Sequence, residues 1–203
     1  KTIHQPGRLL SLINDEICET VTRGMFVTMA GGIYNPKTGV IKLANAGHEP
    51  PLIYKGDGSF EEIQAEAPPL GIMPSMPGGD GIPEVEFNLD GGTLYIFTDG
   101  VTEGYLEDGS ELEADGLKKI LVDLDKQPAT ARLQAVIECI NRENVALRDD
   151  LTLLAIDDGL NKIDRVEKAT TSGDGIESTA ETVFHLNFPS QPDRLKLVRS
   201  AVF

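Results

Sequence analysis

The chain has 203 residues, 40% of them hydrophobic, with 18 Lys and Arg against 33 Asp and Glu, for a formal net charge of −15 at pH 7. That length holds one well-cored domain and part of a second, and that charge disfavours nucleic acid and anionic membrane as partners. No apolar run approaches the ~18 residues a membrane helix requires, and Lys1-Thr2-Ile3-His4-Gln5-Pro6 lacks the apolar core of a signal peptide, so no membrane insertion is expected. Cys18 and Cys139 both fall in helix-like apolar patterns without CxxC spacing, which predicts a reduced, cytoplasmic setting. A start without Met and an apolar end at Ala201-Val202-Phe203 predict that the chain is cut from a longer one.

Leu9, Leu10, Ile13, Ile17 and Val21 recur at helical spacing after Pro6, predicting an amphipathic helix over about 6–22 that lies on a sheet. Residues 25–34 read as a strand in which Met25, Phe26 and Met29 are expected in the core. The turn Asn35-Pro36-Lys37-Thr38-Gly39 then leads to a hairpin partner at 40–46. A second hairpin, 51–55 with 60–65 around Gly56-Asp57-Gly58-Ser59, is expected to continue the same meander. The Pro- and Gly-rich stretch 67–83 is a loop expected to be more mobile than its flanking strands, and either a plain connector or a border of the surface where a protein substrate docks. Strands follow at 84–89 and 93–98, helical periods run through Leu117, Ile120, Leu121, Leu124 and through Leu133, Val136, Ile137, Ile140, and a strand covers 151–156. Strands, then helices, then a strand give an α+β class with antiparallel sheets packed against helices. Residues 158–181 have linker composition. The stretch 182–203 reads as the start of a second domain, with a strand at 182–188 and a helical pattern in Leu195, Val198 and Val202.

Most of the carboxylates belong to a solvated acidic surface. Asp99 differs, because it stands where an apolar strand meets Gly100, which lets the backbone turn closely around a ligand; an Asp-Gly at such a place also serves as a helix cap or turn. Asp149 and Asp150, adjacent just before another apolar strand, repel each other unless a cation or hydrogen-bond donors compensate them. Hard ions such as Mg2+ and Mn2+ prefer such oxygen ligands, which favours a metal site. Spacing alone does not bring Asp99 and Asp149 together. His48, in Gly47-His48-Glu49-Pro50, reads as a turn residue that supports a hairpin, with a general acid or metal ligand as the alternative. Thr102 and Glu103 either orient ligands or start a helix, and capping at that helix start is the safer expectation.

Phe97-Thr98-Asp99-Gly100-Val101-Thr102-Glu103 resembles a metal-binding motif of the type 2C Ser/Thr protein phosphatases, in their bacterial sporulation and stress-response branch. Arg148-Asp149-Asp150-Leu151-Thr152-Leu153-Leu154 is similar to their terminal Asp-Asp motif. Gly24-Met25-Phe26-Val27-Thr28, Ala44-Asn45-Ala46-Gly47-His48-Glu49-Pro50-Pro51 and the shorter Pro69-Leu70-Gly71 match that branch in the same order. The resemblance implies a type 2C-like β-sandwich flanked by helices over 1–157. It implies two Mn2+ or Mg2+ ions that activate a water against phosphoserine or phosphothreonine, with no phosphoenzyme. Asp99 and Asp149 are then metal ligands, while Asp150, an Asn in many relatives, and Gly100 serve as a further ligand or as groups orienting the ligands. The implied partner is a phosphorylated regulatory protein of the anti-sigma-factor antagonist type, and a homodimer is compatible with it. One departure is clear: the sequence lacks the family's Asp-x-x-Gly-His-Gly motif and first metal-binding aspartate ahead of residue 6, so the domain is expected to be incomplete at its N-terminus and weakly active alone. A non-catalytic docking or dimerisation module is the alternative function. The run 188–202 resembles the first strand and helix of anti-sigma-factor kinases of the histidine-kinase-like ATPase fold, with a simple amphipathic terminal helix as the alternative.

Overall fold

The computed structural model describes residues 5–20, 24–74, 81–140 and 151–158, and the backbone of Thr182–Asn187 and Leu197–Val202. It divides into two units, one of Lys1–Pro50, Ile63–Gly91 and Asp158–Ser190, the other of Pro51–Glu62, Gly92–Asp157 and Gln191–Phe203.

In the first unit, helix α1 (Pro6–Thr20) opens with proline, whose missing N–H costs nothing in a first helical turn. Leu10, Ile13 and Ile17 share the helix face that packs on Met29, Ala44, Ala46, Ala67, Leu70 and Ile82. Those partners come partly from the hairpin of β1 (Met29–Asn35) and β2 (Val40–Ala46), which pair antiparallel from Met29↔Ala46 to Asn35↔Val40. The turn closes when the Asn35 carbonyl accepts from the Thr38 and Gly39 amides at 3.2 and 2.8 Å. β5 (Val85–Asn88) pairs with β2, and β8 (Thr182–Asn187) pairs with β1, giving the order β5-β2-β1-β8. Gly7 lets the start of α1 approach residue 82 closely, since a Cβ there would lie 1.9 Å from the Ile82 carbonyl oxygen. The Ile82 amide donates to the Ser11 hydroxyl at 3.1 Å, and the Gly7 amide donates to Glu84 Oε1 at 2.9 Å.

The chain leaves this sheet at Gly47. Buried Asn45 accepts the His48 amide at 2.9 Å and donates to the carbonyls of His48 and Ile63 at 3.1 and 3.3 Å, forming a tight turn. Gly47 has φ +67°, and a Cβ there would sit 2.5 Å from Pro69 Cγ, so the position excludes any side chain. The continuous meander expected from the sequence is therefore broken. β3 (Leu52–Tyr54) and β4 (Phe60–Glu62) form their hairpin in the second unit, because Gly47 redirects the backbone before Pro50-Pro51.

The second unit has the strand order β4-β3-β6-β7-β9, with β6 at Thr93–Phe97, β7 at Thr152–Asp157 and β9 at Leu197–Val202. Its pairs are antiparallel except β7 with β9, which is parallel. Every residue of β6 is buried, matching the short apolar run of a strand covered on both faces. Helix α2 (Asp99–Thr102) follows β6, and helices α3 (Glu113–Asp123) and α4 (Ala129–Ile140) place Leu117, Leu121, Leu133, Val136, Ile137 and Ile140 in one core with Leu52, Tyr95, Phe97 and Leu153.

Two expectations are corrected. Met29 is buried, but Met25 and Phe26 are each 58% exposed, because the strand begins only at Met29 and the stretch before it makes a single bridge, Val27 to Leu70. Of the helix expected through Leu195, Val198 and Val202, Leu195 lies outside the described residues and Leu197–Val202 form β9; Val198 and Val202 are β-branched, and pairing with β7 selects the strand.

Candidate metal centre

β6 runs directly into the Asp-Gly motif. Phe97 pairs with Leu153, and one residue on, the Thr98 amide donates to the Thr152 carbonyl at 3.0 Å while the Thr152 amide donates to Thr98 Oγ1 at 2.9 Å. The end of β6 and the beginning of β7 are thus tied at the same edge of the sheet. This bond also explains why Thr98, at the N-cap position of α2, makes no side-chain cap: its hydroxyl oxygen already accepts from β7.

Asp99 is exposed at the first position of α2, where a carboxylate is favoured by the partial positive charge of a helix start. Its Oδ1 accepts the Gly100 amide at 2.9 Å, and among the described residues Oδ2 makes no hydrogen bond. The backbone carbonyl of Asp99 takes the Glu103 amide at 2.8 Å and the Thr102 hydroxyl at 3.1 Å. Thr102 and Glu103 therefore close a short helix and do not start one as expected, with Glu103 at its C-cap, because the helix already begins at Asp99. An outward carboxylate with an oxygen to spare, anchored on a buried strand, suits a hard divalent cation. Asp149 and Asp150 lie outside the described residues, and among the described residues no group of three or more His, Cys, Asp or Glu is placed to hold a metal.

His48 is 4% exposed. Its amide bonds Asn45 and its Nδ1 lies 3.0 Å from the Glu49 carbonyl, which can only accept, so this nitrogen carries the proton and the ring supports the Gly47 turn.

Sequence reasoning missed a polar cluster in the second unit. Arg132 of α4, 3% exposed, ion-pairs with Asp157, donates to the Tyr95 hydroxyl at 2.5 Å and to Thr93 Oγ1 at 3.4 Å, and lies 5.7 Å from the Tyr95 ring centre. Burial pushes the Tyr95 phenol up to about 12, with the guanidinium pulling it the other way. In the sequence, one Arg within an amphipathic helix reads as a solvent-facing residue. The signal that could have flagged it is its position, three residues after Ala129 and one before Leu133, inside the apolar stripe. Thr93 pairs with Asp157, and that end of the β6–β7 pair is opposite to the Asp99 end, so the cluster belongs to the framework and not to the candidate site at Asp99.

Among the described residues no helix is long and apolar enough to cross a membrane. The family described as Stage II sporulation protein E (SpoIIE) matches residues 1–157. Protein IcfG of Synechocystis sp. is 31% identical over 105 residues, which are 51% of this chain and 16% of IcfG. The SiaA-PP2C domain of Pseudomonas aeruginosa superposes with a TM-score of 0.60 at 19% identity, over 76% of this chain and 61% of that one. The Mn-presoaked phosphatase domain of SpoIIE from Bacillus subtilis gives 0.53 at 20%, over 73% and 63%. A Mycobacterium tuberculosis protein with RsbU and RsbW domains gives 0.54 at 26%, over 68% and 38%. The chain thus spans less than two thirds of each of these relatives. Their shared fold is the PP2C-type α+β arrangement of antiparallel sheets packed with helices described above, and with the family match over 1–157 it shows that the chain belongs to the SpoIIE family.

Proposed function

We propose that the whole protein hydrolyses phosphoserine or phosphothreonine on a regulatory protein of the anti-sigma-factor antagonist type, with two Mn2+ or Mg2+ ions. The observation that carries this reading is the Thr98–Thr152 tie: Asp99 follows Thr98 directly, and Asp149-Asp150, outside the described residues, precede Leu151-Thr152 in the chain, which supports a site at that end of the β6–β7 pair. Asp99 and Asp149 would hold the metals, with Asp150 and Gly100 as a further ligand or as orienting groups. A bound metal pair supplies charge neutralisation at the phosphate and a water acidic enough to ionise near neutral pH. Membership of the SpoIIE family and the 26% identity to the RsbU-containing protein support the substrate class.

Phosphate release from a phosphoserine peptide by the whole protein tests this reading. Release that requires added Mn2+, stops with EDTA and returns on re-addition is expected. No release at millimolar Mn2+, or release indifferent to EDTA, would leave the non-catalytic docking module as the better account.

The same M. tuberculosis relative carries two domains in one chain. With the resemblance of 188–202 to a kinase start it supports the proposal that 158–181 is a linker and 182–203 begins a second domain, while the pairing of β8 with β1 and of β9 with β7 speaks against it. Limited proteolysis within 158–181 should then leave the thermal midpoint of 1–157 unchanged. A drop of several degrees would instead show that β8 and β9 are integral strands of the phosphatase sheets.

A further inference from the structure

The end of β6 carries two bonding tasks on one residue. Thr98 and Thr152 continue the register of the β6–β7 pair, in which Phe97 faces Leu153, and the Thr98 amide donates to the Thr152 carbonyl at 3.0 Å. Antiparallel residues bonded in this way normally exchange two bonds, so a regular ladder would return the Thr152 amide to the Thr98 carbonyl. Instead that carbonyl accepts the Val101 amide at 2.9 Å, the bond that turns the chain into α2. The Thr152 amide is taken up by Thr98 Oγ1, also at 2.9 Å. The side chain thus completes the ladder after the main chain has left it, while Thr98 itself stays extended at φ −89° and ψ 160°.

The exchange matters because the junction is dry. Thr98 and Thr152 are 9% and 7% exposed, so water does not readily replace an acceptor lost there, and a buried amide left without one is costly. A helix N-cap Thr ordinarily spends its oxygen on amides of its own helix, and α2 forgoes that cap. The hydroxyl therefore serves the join between the two strands at the expense of the helix that Asp99 begins.

We propose that Thr98 is a positioning residue for the metal centre: its hydroxyl fixes the start of β7 against the residue that carries Asp99. The proposal rests on the phosphatase reading, in which Asp99 and the acidic pair just ahead of Leu151-Thr152 in the chain hold the metals. Asp99 follows Thr98 with no residue between them, so play at the Thr98–Thr152 join becomes play between the two groups of ligands. Hard divalent cations, Mg2+ above all, bind best where oxygen ligands are held at fixed spacing, and the groups that support ligands set affinity without touching the metal.

The test uses the whole protein and three variants. Thr98→Val keeps the branched shape and removes the acceptor, and Thr98→Ser keeps the acceptor. Thr93→Val removes a hydroxyl at the far end of the same strand pair, where Thr93 Oγ1 accepts from Arg132. Without metal, the Thr152 amide should exchange with deuterium at least about tenfold faster in Thr98→Val, and Thr98→Ser should restore its protection. Calorimetric titration with MnCl2 should show affinity at least about tenfold weaker in Thr98→Val, the lower end of what altering a supporting group costs a metal site, with Thr98→Ser restoring it and Thr93→Val leaving it unmoved. Unchanged exchange at Thr152 in Thr98→Val would overturn the proposal. So would faster exchange with unchanged Mn2+ affinity, because the hydroxyl would then serve the framework alone. Equal loss of affinity in Thr93→Val would overturn it as well, since any loosening of the strand pair would suffice. If the unsubstituted protein binds no Mn2+, the phosphatase reading falls and this proposal with it, whereas Mn2+ binding indifferent to Thr98→Val sinks this proposal alone.

Discussion

Asp157→Ala is expected to destabilise the fold by about 3–5 kcal/mol, more than Arg132→Met, which should cost no more than about 2 kcal/mol. The difference follows from which partner is left behind. Arg132 is 4% exposed in its side chain, so removing Asp157 strands a buried cation. Asp157 is 24% exposed, so removing Arg132 leaves a carboxylate that water still reaches, while Met fills the space of the guanidinium stem against Tyr95. Urea unfolding of both variants measures the order, and the reverse order would mean that the guanidinium is solvated in solution.

Tyr95 adds a pH signature to the same cluster. Its folded-state pKa, about 12, lies above the unfolded value of 10.0, so the folded protein holds the phenolic proton more tightly. The resulting stabilisation is complete below about pH 10 and is lost as pH rises towards 12, by at most about 3 kcal/mol for a shift of about two units. Tyr95→Phe should flatten the stability curve over that window; an unchanged slope would mean that other groups cause it.

Asp99→Asn in the whole protein is expected to lower Mn2+-dependent turnover at least about 100-fold, the upper end of what is lost when only a group behind a metal ligand is changed. Its carboxylate is exposed and accepts one bond, from the adjacent Gly100 amide, which Asn Oδ1 can also accept. The thermal stability should therefore stay within about 1 kcal/mol of the unsubstituted protein. Loss of activity without loss of fold is the signature of a ligand, and parallel loss of both would show a structural role. Near-normal turnover at limiting Mn2+ would remove Asp99 from the metal centre.

The sequence by itself determined most elements and the place where β6 ends at Asp99-Gly100. The stripe of Leu10, Ile13 and Ile17, the fully apolar β6 and the stripes of α3 and α4 are local patterns, because burying one face of a helix or strand imposes its period on adjacent residues. The Asp99-Gly100 strand end was legible for the same reason: it marks where an apolar run stops. Only the tertiary structure decided the rest. That β3 joins β6 and not β2 depends on Asn45 bonding Ile63, eighteen residues on, and on Gly47 lying against Pro69. Arg132 is buried because Asp157 and Tyr95, 25 and 37 residues away, converge on it. Met25 and Phe26 lie outside the core because the ladder of β1 starts at Met29, and β9 is a strand because β7 offers it an edge. A local pattern reports which residues are apolar together, whereas strand partners and the compensation of a buried charge are contacts between distant parts of the chain, whose energies no single segment carries.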